Sequence, residues 1–381
     1  MKLHSHLLDL KKCFGAGLIA LAITPVGFAH DLPGGVAHDS DVTNAVPLPF
    51  VVEKRGSVRA PKAIRLAPGT PVSGQGFWKF TAARSLTPVP PAALPRLVGA
   101  HGTIIVDKST DMVYWGLQGV GWIGFSNRLQ SSWIVAGDSA FTNGNLHGAD
   151  IWPRKKNLPL IAAADNVAGK IYLTDTSFQH AEVLPVPEGQ PYVDGKNFHP
   201  TDVAFANGHE LWITDGYGKA WFTSADVAPL KYRGRFFGGK GFSQTPHGIT
   251  LDPHDHSVLL SARPEGQIKR FDPVRERVRE IASLPAGSTI CDVDLWGDYA
   301  LAPCLDGPKK TPGPIYIINL KTRSIVATIK PKEDLGYTDA QHIHDAAWYV
   351  TGSGRDQEVY IVFTNWNPGG VGALKLVNIA D

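Results

Sequence analysis

The feature that most constrains this chain is a recurrence of short apolar segments, separated by turn residues, from about residue 96 to the end. Examples are "GTIIVD", "KIYLTD", "HELWITD", "SVLLSA" and "PIYIINL". No segment keeps a helical apolar period for three turns. Many short strands with regular turn signals are typical of a β-sandwich, a barrel or a propeller.

The spacing of these segments decides between the three architectures. Units begin 52, 48, 44 and 53 residues apart when counted from His147, His199, His247, Cys291 and His344. Units of roughly 40–50 residues with up to four strands each are typical of propeller blades. Residues 96–381 hold about six such units, if one is counted from 98 to 140. The sequence therefore predicts an all-β, six-bladed β-propeller, with seven blades as the alternative.

Residues 30–95 have a different texture. Ten prolines fall in this segment, including those of "TPVPPAALP" at 87–95, and little of it alternates. We predict a proline-rich extended arm that lies on the propeller, with "GFWKF" at 76–80 as its apolar anchor. A disordered linker is the alternative.

The first 29 residues have the pattern of a secretory signal. Lys11 and Lys12 precede the apolar segment 13–29, and Gly27 and Ala29 are small residues suited to cleavage before His30. An uncleaved anchor is the alternative, although 17 residues are short for a membrane span. The predicted organisation is a signal peptide (1–29), an arm (30–95) and a propeller (96–381). We expect the mature protein to be secreted or periplasmic.

The charge balance excludes some partners. Residues 1–29 carry a net charge of +2 and the whole chain is also +2, so the mature chain is near neutral. Such a balance does not call for nucleic acid or an anionic membrane as a partner. We expect a monomer that acts on a small molecule or a peptide, without membrane contact after cleavage.

Two cysteines remain after the predicted cleavage. Cys291 and Cys304 are thirteen residues apart across a predicted hairpin. In an exported protein this spacing predicts a disulfide bond. Two buried thiols are the alternative.

Three histidines stand where predicted inner strands begin. His147, His247 and His344 fall in the second, fourth and sixth units, at spacings of 100 and 97 residues. The innermost strand of a blade faces the propeller axis, so alternate blades would bring the three imidazoles together at the channel mouth. Three neutral nitrogens with an open fourth position are typical of a catalytic zinc site. The alternative is that each is a turn or core histidine, and His342 competes with His344 for the same place.

The chain also resembles one known family, the lyase domain of peptidylglycine α-amidating enzymes. The similar stretches are "FHPTDVAFANGHELWITDGYG" at 198–218, "TPHGITLDPHDHSVLLSARPEGQIKRFDP" at 245–273 and "HIHDAAW" at 342–348. The resemblance covers most of 98–380 and is most specific in the third and fourth units. It implies a six-bladed propeller of the NHL-repeat type that cleaves peptidyl-α-hydroxyglycine into a peptide amide and glyoxylate.

The resemblance also implies roles for individual residues. It implies a zinc ion on His147, His247 and His344, an active-site tyrosine at Tyr217 of "TDGYG" and a substrate-binding arginine at Arg263 of "SARPEGQI". A tyrosinate can take a proton from a metal-polarised hydroxyl, and an arginine can hold a carboxylate. Each of the two residues closes a predicted strand, in neighbouring blades, so we expect them to lie side by side.

The resemblance further implies a structural calcium ion, and this sequence departs from the family at one arginine. The resemblance places calcium on Asp345 and on backbone carbonyls, of which that of Ala149 would be one. The family's second substrate-binding arginine, in the first blade, has no counterpart here, because Gly116, Leu117 and Gln118 occupy the matching stretch. This departure puts the family's own substrate in doubt.

Taken together, the sequence predicts an exported, zinc-dependent lyase or hydrolase that acts on a small hydroxylated substrate. One alternative is a non-catalytic propeller that binds a peptide or protein partner. Another is a calcium-dependent, lactonase-like propeller. The candidate channel residues for that chemistry are Asp202, Asp215, Asn365 and Asn367.

Overall fold

The structure is a computed structural model that describes residues 63–99, 101–239, 241–252 and 254–379. The predicted signal peptide (1–29) and the first part of the predicted arm (30–62) lie outside the described residues. In the described part of the chain, six antiparallel sheets of four or five strands form a six-bladed β-propeller. The predicted fold class is confirmed.

In blades I to V the strands follow one another from the axis outward in chain order. In blade VI the two outer strands come from the N-terminal side of the described chain. The strands are Gly102–Asp107, Met112–Leu117, Gly121–Ser126 and Ser131–Ile134 (blade I); Leu146–Trp152, Leu160–Asp165, Lys170–Asp175 and Glu182–Leu184 (blade II); Asp202–Asn207, Glu210–Asp215, Trp221–Val227 and Leu230–Gly238 (blade III); Pro246–Leu251, Val258–Ala262, Gln267–Asp272 and Arg277–Ser283 (blade IV); Asp294–Trp296, Tyr299–Pro303, Ile315–Asn319 and Ser324–Ile329 (blade V); and Ile343–Thr351, Glu358–Asn365, Gly370–Leu376, Trp78–Ala82 and Ser73–Gln75 (blade VI).

A few short elements complete the described chain. Ala63–Ile64 pairs in parallel with Asn378–Ile379. One α-helical turn, Ser139–Thr142, lies between blades I and II, and Asp138 caps it by accepting from the Ala140 N–H at 2.9 Å. The 3₁₀ segments are Pro91–Arg96, Pro308–Lys310 and Gly354–Asp356. None of the described helices is long and apolar enough to cross a membrane.

Blade VI closes the ring by joining the two ends of the described chain. Its fourth strand comes from the N-terminal side, and Phe80 and Ala82 pair with Leu376 and Leu374. The predicted boundary at residue 96 therefore needs a correction, because residues 73–82 belong to a propeller sheet. The reason is physical: without a partner, the third strand of blade VI would expose an unpaired edge.

The predicted apolar anchor lies in the core between blades V and VI. Trp78 and Phe80 are fully buried. The Trp78 ring contacts Tyr299 of blade V at a centroid distance of 4.7 Å and Trp348 of blade VI at 5.5 Å. Aromatic contacts of this kind fill the wedge between twisted sheets.

Hydroxyl groups also tie neighbouring blades together near the axis. Thr214 donates to the carbonyl of His247 at 3.1 Å, and Ser261 donates to the carbonyl of Cys291 at 2.7 Å. Thr364 donates to the carbonyl of Gly102 at 3.1 Å. Thr214 and Thr364 thus hold the first strand of the next blade, and Ser261 holds the segment just before the first strand of blade V.

Candidate functional site

Three buried histidines enter the channel where the innermost strands of alternate blades begin. His147 belongs to blade II, His247 to blade IV and His344 to blade VI, and each is the second residue of its strand. In all three blades the pairing with the next strand shifts register at the histidine. Such an irregularity re-aims a side chain that a regular strand would point elsewhere.

Glycines after two of these histidines allow neighbouring blades to approach closely. A Cβ atom on Gly148 would lie 2.4 Å from the carbonyl oxygen of Thr201. A Cβ atom on Gly248 would lie 2.8 Å from the carbonyl oxygen of Cys291 and 2.5 Å from Asp292 Oδ1. The "HG" pairs therefore permit contacts between blades II and III and between blades IV and V at the axis.

The close approach fixes the tautomer of two imidazoles. His147 Nδ1 lies 2.7 Å from the Thr201 carbonyl, and His247 Nδ1 lies 2.8 Å from the Cys291 carbonyl. A carbonyl only accepts, so both Nδ1 atoms carry the proton. The Nε2 atom of each neutral ring is then an acceptor or a metal ligand, and carbonyl contacts of this kind orient metal-binding histidines.

The three predicted imidazoles lie together. Their ring centroids are 4.6 Å apart for His147 and His344, 4.8 Å for His147 and His247, and 5.2 Å for His247 and His344. The Nε2 atoms of His147 and His344 are 3.2 Å apart. The predicted competitor His342 faces Asp306 instead, at 3.8 Å. That the three bind zinc stays a prediction.

The predicted tyrosine and arginine lie beside His247. The Tyr217 hydroxyl is 3.1 Å from His247 Nε2 and 3.3 Å from His147 Nε2. Arg263 donates from Nη1 to the Tyr217 hydroxyl at 2.8 Å, and its Nη2 contacts His247 Nε2. Burial and the positive charge of Arg263 hold the pKa of His247 well below its usual value. Burial raises the pKa of Tyr217, while Arg263 acts in the opposite direction.

A fourth imidazole, which the sequence analysis missed, completes the cluster. The His101 ring centroid lies 4.9 Å from those of both His147 and His344. One ligand nitrogen from each of these three histidines lies within 4.8 Å of the others. His101 precedes the first strand of blade I instead of entering it, so it falls outside the repeat. The "HG" pair at 101–102, shared with 147–148 and 247–248, is the signal that could have found it.

Besides Asp107, five aspartates line a cavity of about 270 Å³, and the three histidines and Lys108 line the same cavity. The five aspartates are Asp150, Asp202, Asp292, Asp294 and Asp345. Four of them accept a backbone N–H of the next blade, from Phe205, Ile249, Trp348 and Ile104 at 2.6–2.8 Å. These contacts give a hydrogen-bond partner to backbone N–H groups on the inner edge of the innermost strands, where no neighbouring strand supplies one.

The same aspartates are held in an environment that disfavours their charge. Burial raises the pKa of Asp150 to about 6. Burial, and then repulsion from Asp345, raises the pKa of Asp292, and burial also raises that of Asp345. The predicted calcium residue Ala149 lines the same cavity. Carboxylates and carbonyls are the ligands that calcium prefers, so the donor set fits this ion.

The four channel residues predicted for a lactonase do not all line this cavity. Asp202 lines the cavity. Asp215 instead accepts the backbone N–H groups of His199 and Lys219, both at 2.7 Å. Asn365 is buried at the end of its strand and Asn367 is exposed. Of the four lactonase candidates, Asp202 is the one that lines this cavity.

The predicted disulfide bond is wrong. Cys291 and Cys304 are both free and buried. Cys304 lies opposite Ile290, so Cys291 is one residue out of register with it. Neighbouring residues of an extended chain point to opposite sides, so the two thiols are not cross-strand partners.

Comparisons with known proteins agree with the fold. No family model matches this sequence, and no curated protein matches it. A gluconolactonase from Xanthomonas campestris superposes with a TM-score of 0.52 at 14% identity, over 82% of this chain and 100% of the other. A protein proposed to be a gluconolactonase gives a TM-score of 0.51 at 12% identity, over 79% and 100%. A chain of a nidogen/laminin complex gives 0.51 at 12%, over 72% and 97%. At these identities the likeness concerns the fold alone.

Proposed function

We propose that this chain is a metal-dependent lyase or hydrolase that acts on a small hydroxylated substrate at the histidine cluster. The observation that carries the proposal is the approach of the His147 and His344 Nε2 atoms to 3.2 Å, beside the Tyr217 hydroxyl. Zinc is the proposed metal, because imidazole nitrogens are among its preferred ligands.

The donor atoms fit such an ion. The rings are buried, and carbonyl contacts at 2.7 and 2.8 Å keep Nε2 of His147 and His247 unprotonated. A bound zinc ion would polarise a substrate hydroxyl or a water molecule and lower its pKa.

Tyr217 and Arg263 supply the remaining chemistry. In the cleavage of a peptidyl-α-hydroxyglycine, the hydroxyl group loses a proton, the carbon–nitrogen bond breaks, and the amide nitrogen takes up a proton. We assign to Tyr217 the role of the base that takes the hydroxyl proton, and the 2.8 Å bond from Arg263, which would stabilise its phenolate, supports this role. The guanidinium group also offers a fixed positive charge for a substrate carboxylate.

The first blade favours a substrate other than the family's own. Leu117 is fully buried in the core, and a Cβ atom on Gly116 would lie 2.9 Å from the Leu146 side chain. Neither position offers a cation to a second anionic group. We therefore expect poor turnover of peptidyl-α-hydroxyglycine and a preference for a smaller hydroxy acid or hemiaminal.

We further propose a structural calcium ion in the aspartate-lined cavity. Asp345 and the carbonyl of Ala149 are the proposed ligands. Asp292 interacts with Asp345 and is a candidate that the sequence analysis did not include. A divalent cation would offset the repulsion between these carboxylates.

A calcium-dependent lactonase is a second candidate function. The observation that favours it is the set of five aspartates in one cavity, together with folds like those of the gluconolactonases named above. In this case the aspartates, rather than the histidines, would hold the catalytic ion.

The proposed localisation and oligomeric state rest on the sequence alone. We propose a secreted or periplasmic monomer, on the basis of the signal-like residues 1–29 and the near-neutral mature chain.

Metal-dependent assays separate the candidates. The purified protein, stripped of metal, should be reloaded with zinc or calcium and tested on an α-hydroxyglycine peptide, smaller α-hydroxy acids and an aldonolactone. We expect zinc-dependent turnover that is low on the peptide. Turnover of the lactone with calcium alone would favour the second candidate, and full activity on the peptide would contradict the altered substrate. Inactivity on every substrate with either ion would favour a non-catalytic binding propeller.

A further inference from the structure

We propose that His101 is a metal ligand together with His147 and His344, and that His247 instead serves as the partner of Tyr217 and Arg263. The proposal rests on the function proposed above, since it assumes that the cluster binds a metal. It changes the predicted ligand set at one position.

The positions of the nitrogens support this set. One ligand nitrogen each from His101, His147 and His344 lies within 4.8 Å of the other two. Donors around one tetrahedral zinc ion, at about 2.0–2.1 Å from it, lie about 3.3 Å apart. Small side-chain rotations are therefore enough to bring the three nitrogens to one ion.

His247 is engaged elsewhere. Its Nδ1 donates to the Cys291 carbonyl at 2.8 Å, which leaves Nε2 as the acceptor. That Nε2 atom contacts Arg263 Nη2 and lies 3.1 Å from the Tyr217 hydroxyl. A guanidinium group is permanently charged, so it repels a divalent cation at the same nitrogen.

Asn145 is placed to orient His101. Its side-chain amide nitrogen lies 3.4 Å from His101 Nδ1, and its buried oxygen has no hydrogen-bond partner among the described residues. The same nitrogen donates to Asn166 Oδ1 at 2.8 Å, so turning both amides together would bring an acceptor to Nδ1, as carbonyls do for His147 and His247, and would keep the bond between the two asparagines. The Trp366 ring stacks on His101 at a centroid distance of 5.7 Å and holds the imidazole plane.

The proposed set has a consequence for the substrate. His344, His101 and His147 come from blades VI, I and II, which are consecutive around the axis. The side of the cluster that faces blades III and IV, with Tyr217 and Arg263, is then left for substrate.

Zinc affinity of matched variants tests the assignment. Affinity should be measured by competition with a chromophoric chelator for wild type, His101→Ala, His247→Ala and the control His342→Ala, which faces Asp306. We expect His101→Ala to lose at least about a hundredfold, more than the removal of a mere orienting partner typically costs. His247→Ala and His342→Ala should stay within about tenfold of wild type.

The opposite pattern, with loss in His247→Ala and retention in His101→Ala, would overturn the assignment but leave the proposed function standing. A wild-type protein that binds no zinc would overturn both.

A spectroscopic variant keeps the test valid if His101→Ala folds poorly. Cobalt-loaded His101→Cys should show a near-ultraviolet thiolate-to-cobalt charge-transfer band that is absent from cobalt-loaded wild type and His247→Cys. A band in His247→Cys and none in His101→Cys would contradict the proposal.

Discussion

The Nε2 atoms of His147 and His344 lie 3.2 Å apart, although 197 residues separate the two histidines along the chain. His147 Nδ1 donates to the Thr201 carbonyl at 2.7 Å, so its Nε2 carries a lone pair. Two imidazole nitrogens at this distance are held together by a shared proton or by a cation. The proposed metal centre accounts for the contact, and the propeller fold accounts for the meeting of blades II and VI.

Substitution of Tyr217 or Arg263 should slow the reaction without removing the metal. We expect Tyr217→Phe and Arg263→Ala to lower kcat/KM on the best substrate by at least about tenfold, roughly 1.4 kcal/mol in the barrier. Steady-state kinetics at saturating zinc measure the effect. Arg270→Ala is the control, because Arg270 pairs with Asp252 and Asp255. Equal rates in wild type and both variants would refute the assigned roles.

The channel aspartates predict a pH dependence of stability in metal-free protein. Burial raises the pKa of Asp150 to about 6, above the usual value of an aspartate. The folded state therefore holds this proton more tightly, and the resulting stabilisation is complete below about pH 4 and lost as the pH rises through about 6. At pH 7.5 in chelator, Asp150→Asn should be more stable than wild type by about 1–2 kcal/mol.

Urea unfolding at two pH values measures this effect. The difference between Asp150→Asn and wild type should be absent or reversed at pH 4, and calcium should narrow it at pH 7.5. A difference that is the same at both pH values would show that the carboxyl charge is not the cause.

Gly248 should be sensitive to the addition of one methyl group. Its Cβ would lie 2.5 Å from Asp292 Oδ1 and 2.8 Å from the Cys291 carbonyl, so blades IV and V would have to separate. We expect Gly248→Ala to destabilise the protein by about 1–3 kcal/mol in chemical denaturation. Gly241→Ala, where a Cβ meets nothing within 4 Å, should stay within about 0.5 kcal/mol of wild type. Equal stability of the two variants would show that the close approach does not matter.

The thiols of Cys291 and Cys304 should be free but unreactive in the native protein. Both are buried, and burial raises the pKa of Cys291 to about 11. Maleimide labelling under non-reducing conditions should modify neither residue in the folded protein and both after denaturation. Peptide mapping that finds them linked after denaturation would restore the disulfide prediction.

Local patterns made the blades predictable, because each blade repeats its strands and turns within about 50 residues. The same period placed His147, His247 and His344 on alternate blades. Ring closure was not predictable, since the pairing of Phe80 with Leu376 joins distant parts of the chain and "GFWKF" lies among prolines. Strand pairing across such a separation leaves no local signal.

Two further differences between the sequence-based predictions and the structure each come from a shift of one residue along the chain. Cys291 and Cys304 have a spacing that suits a bond, but the register places Ile290 opposite Cys304. His101 stands one residue before its strand, so the repeat did not include it, although the fold returns its ring to the cluster. Spacing along a chain does not report register, and side-chain direction depends on register.

Zinc content is the most direct test of the metal centre. Wild type, His147→Ala, His344→Ala and the exposed control His254→Ala should be incubated with zinc, freed of excess and analysed by elemental mass spectrometry, with circular dichroism to verify folding. We expect about one zinc ion per chain in wild type and His254→Ala, and a clear loss in His147→Ala and His344→Ala. Wild type without bound zinc, or zinc content that neither cluster substitution changes, would contradict the proposed metal centre.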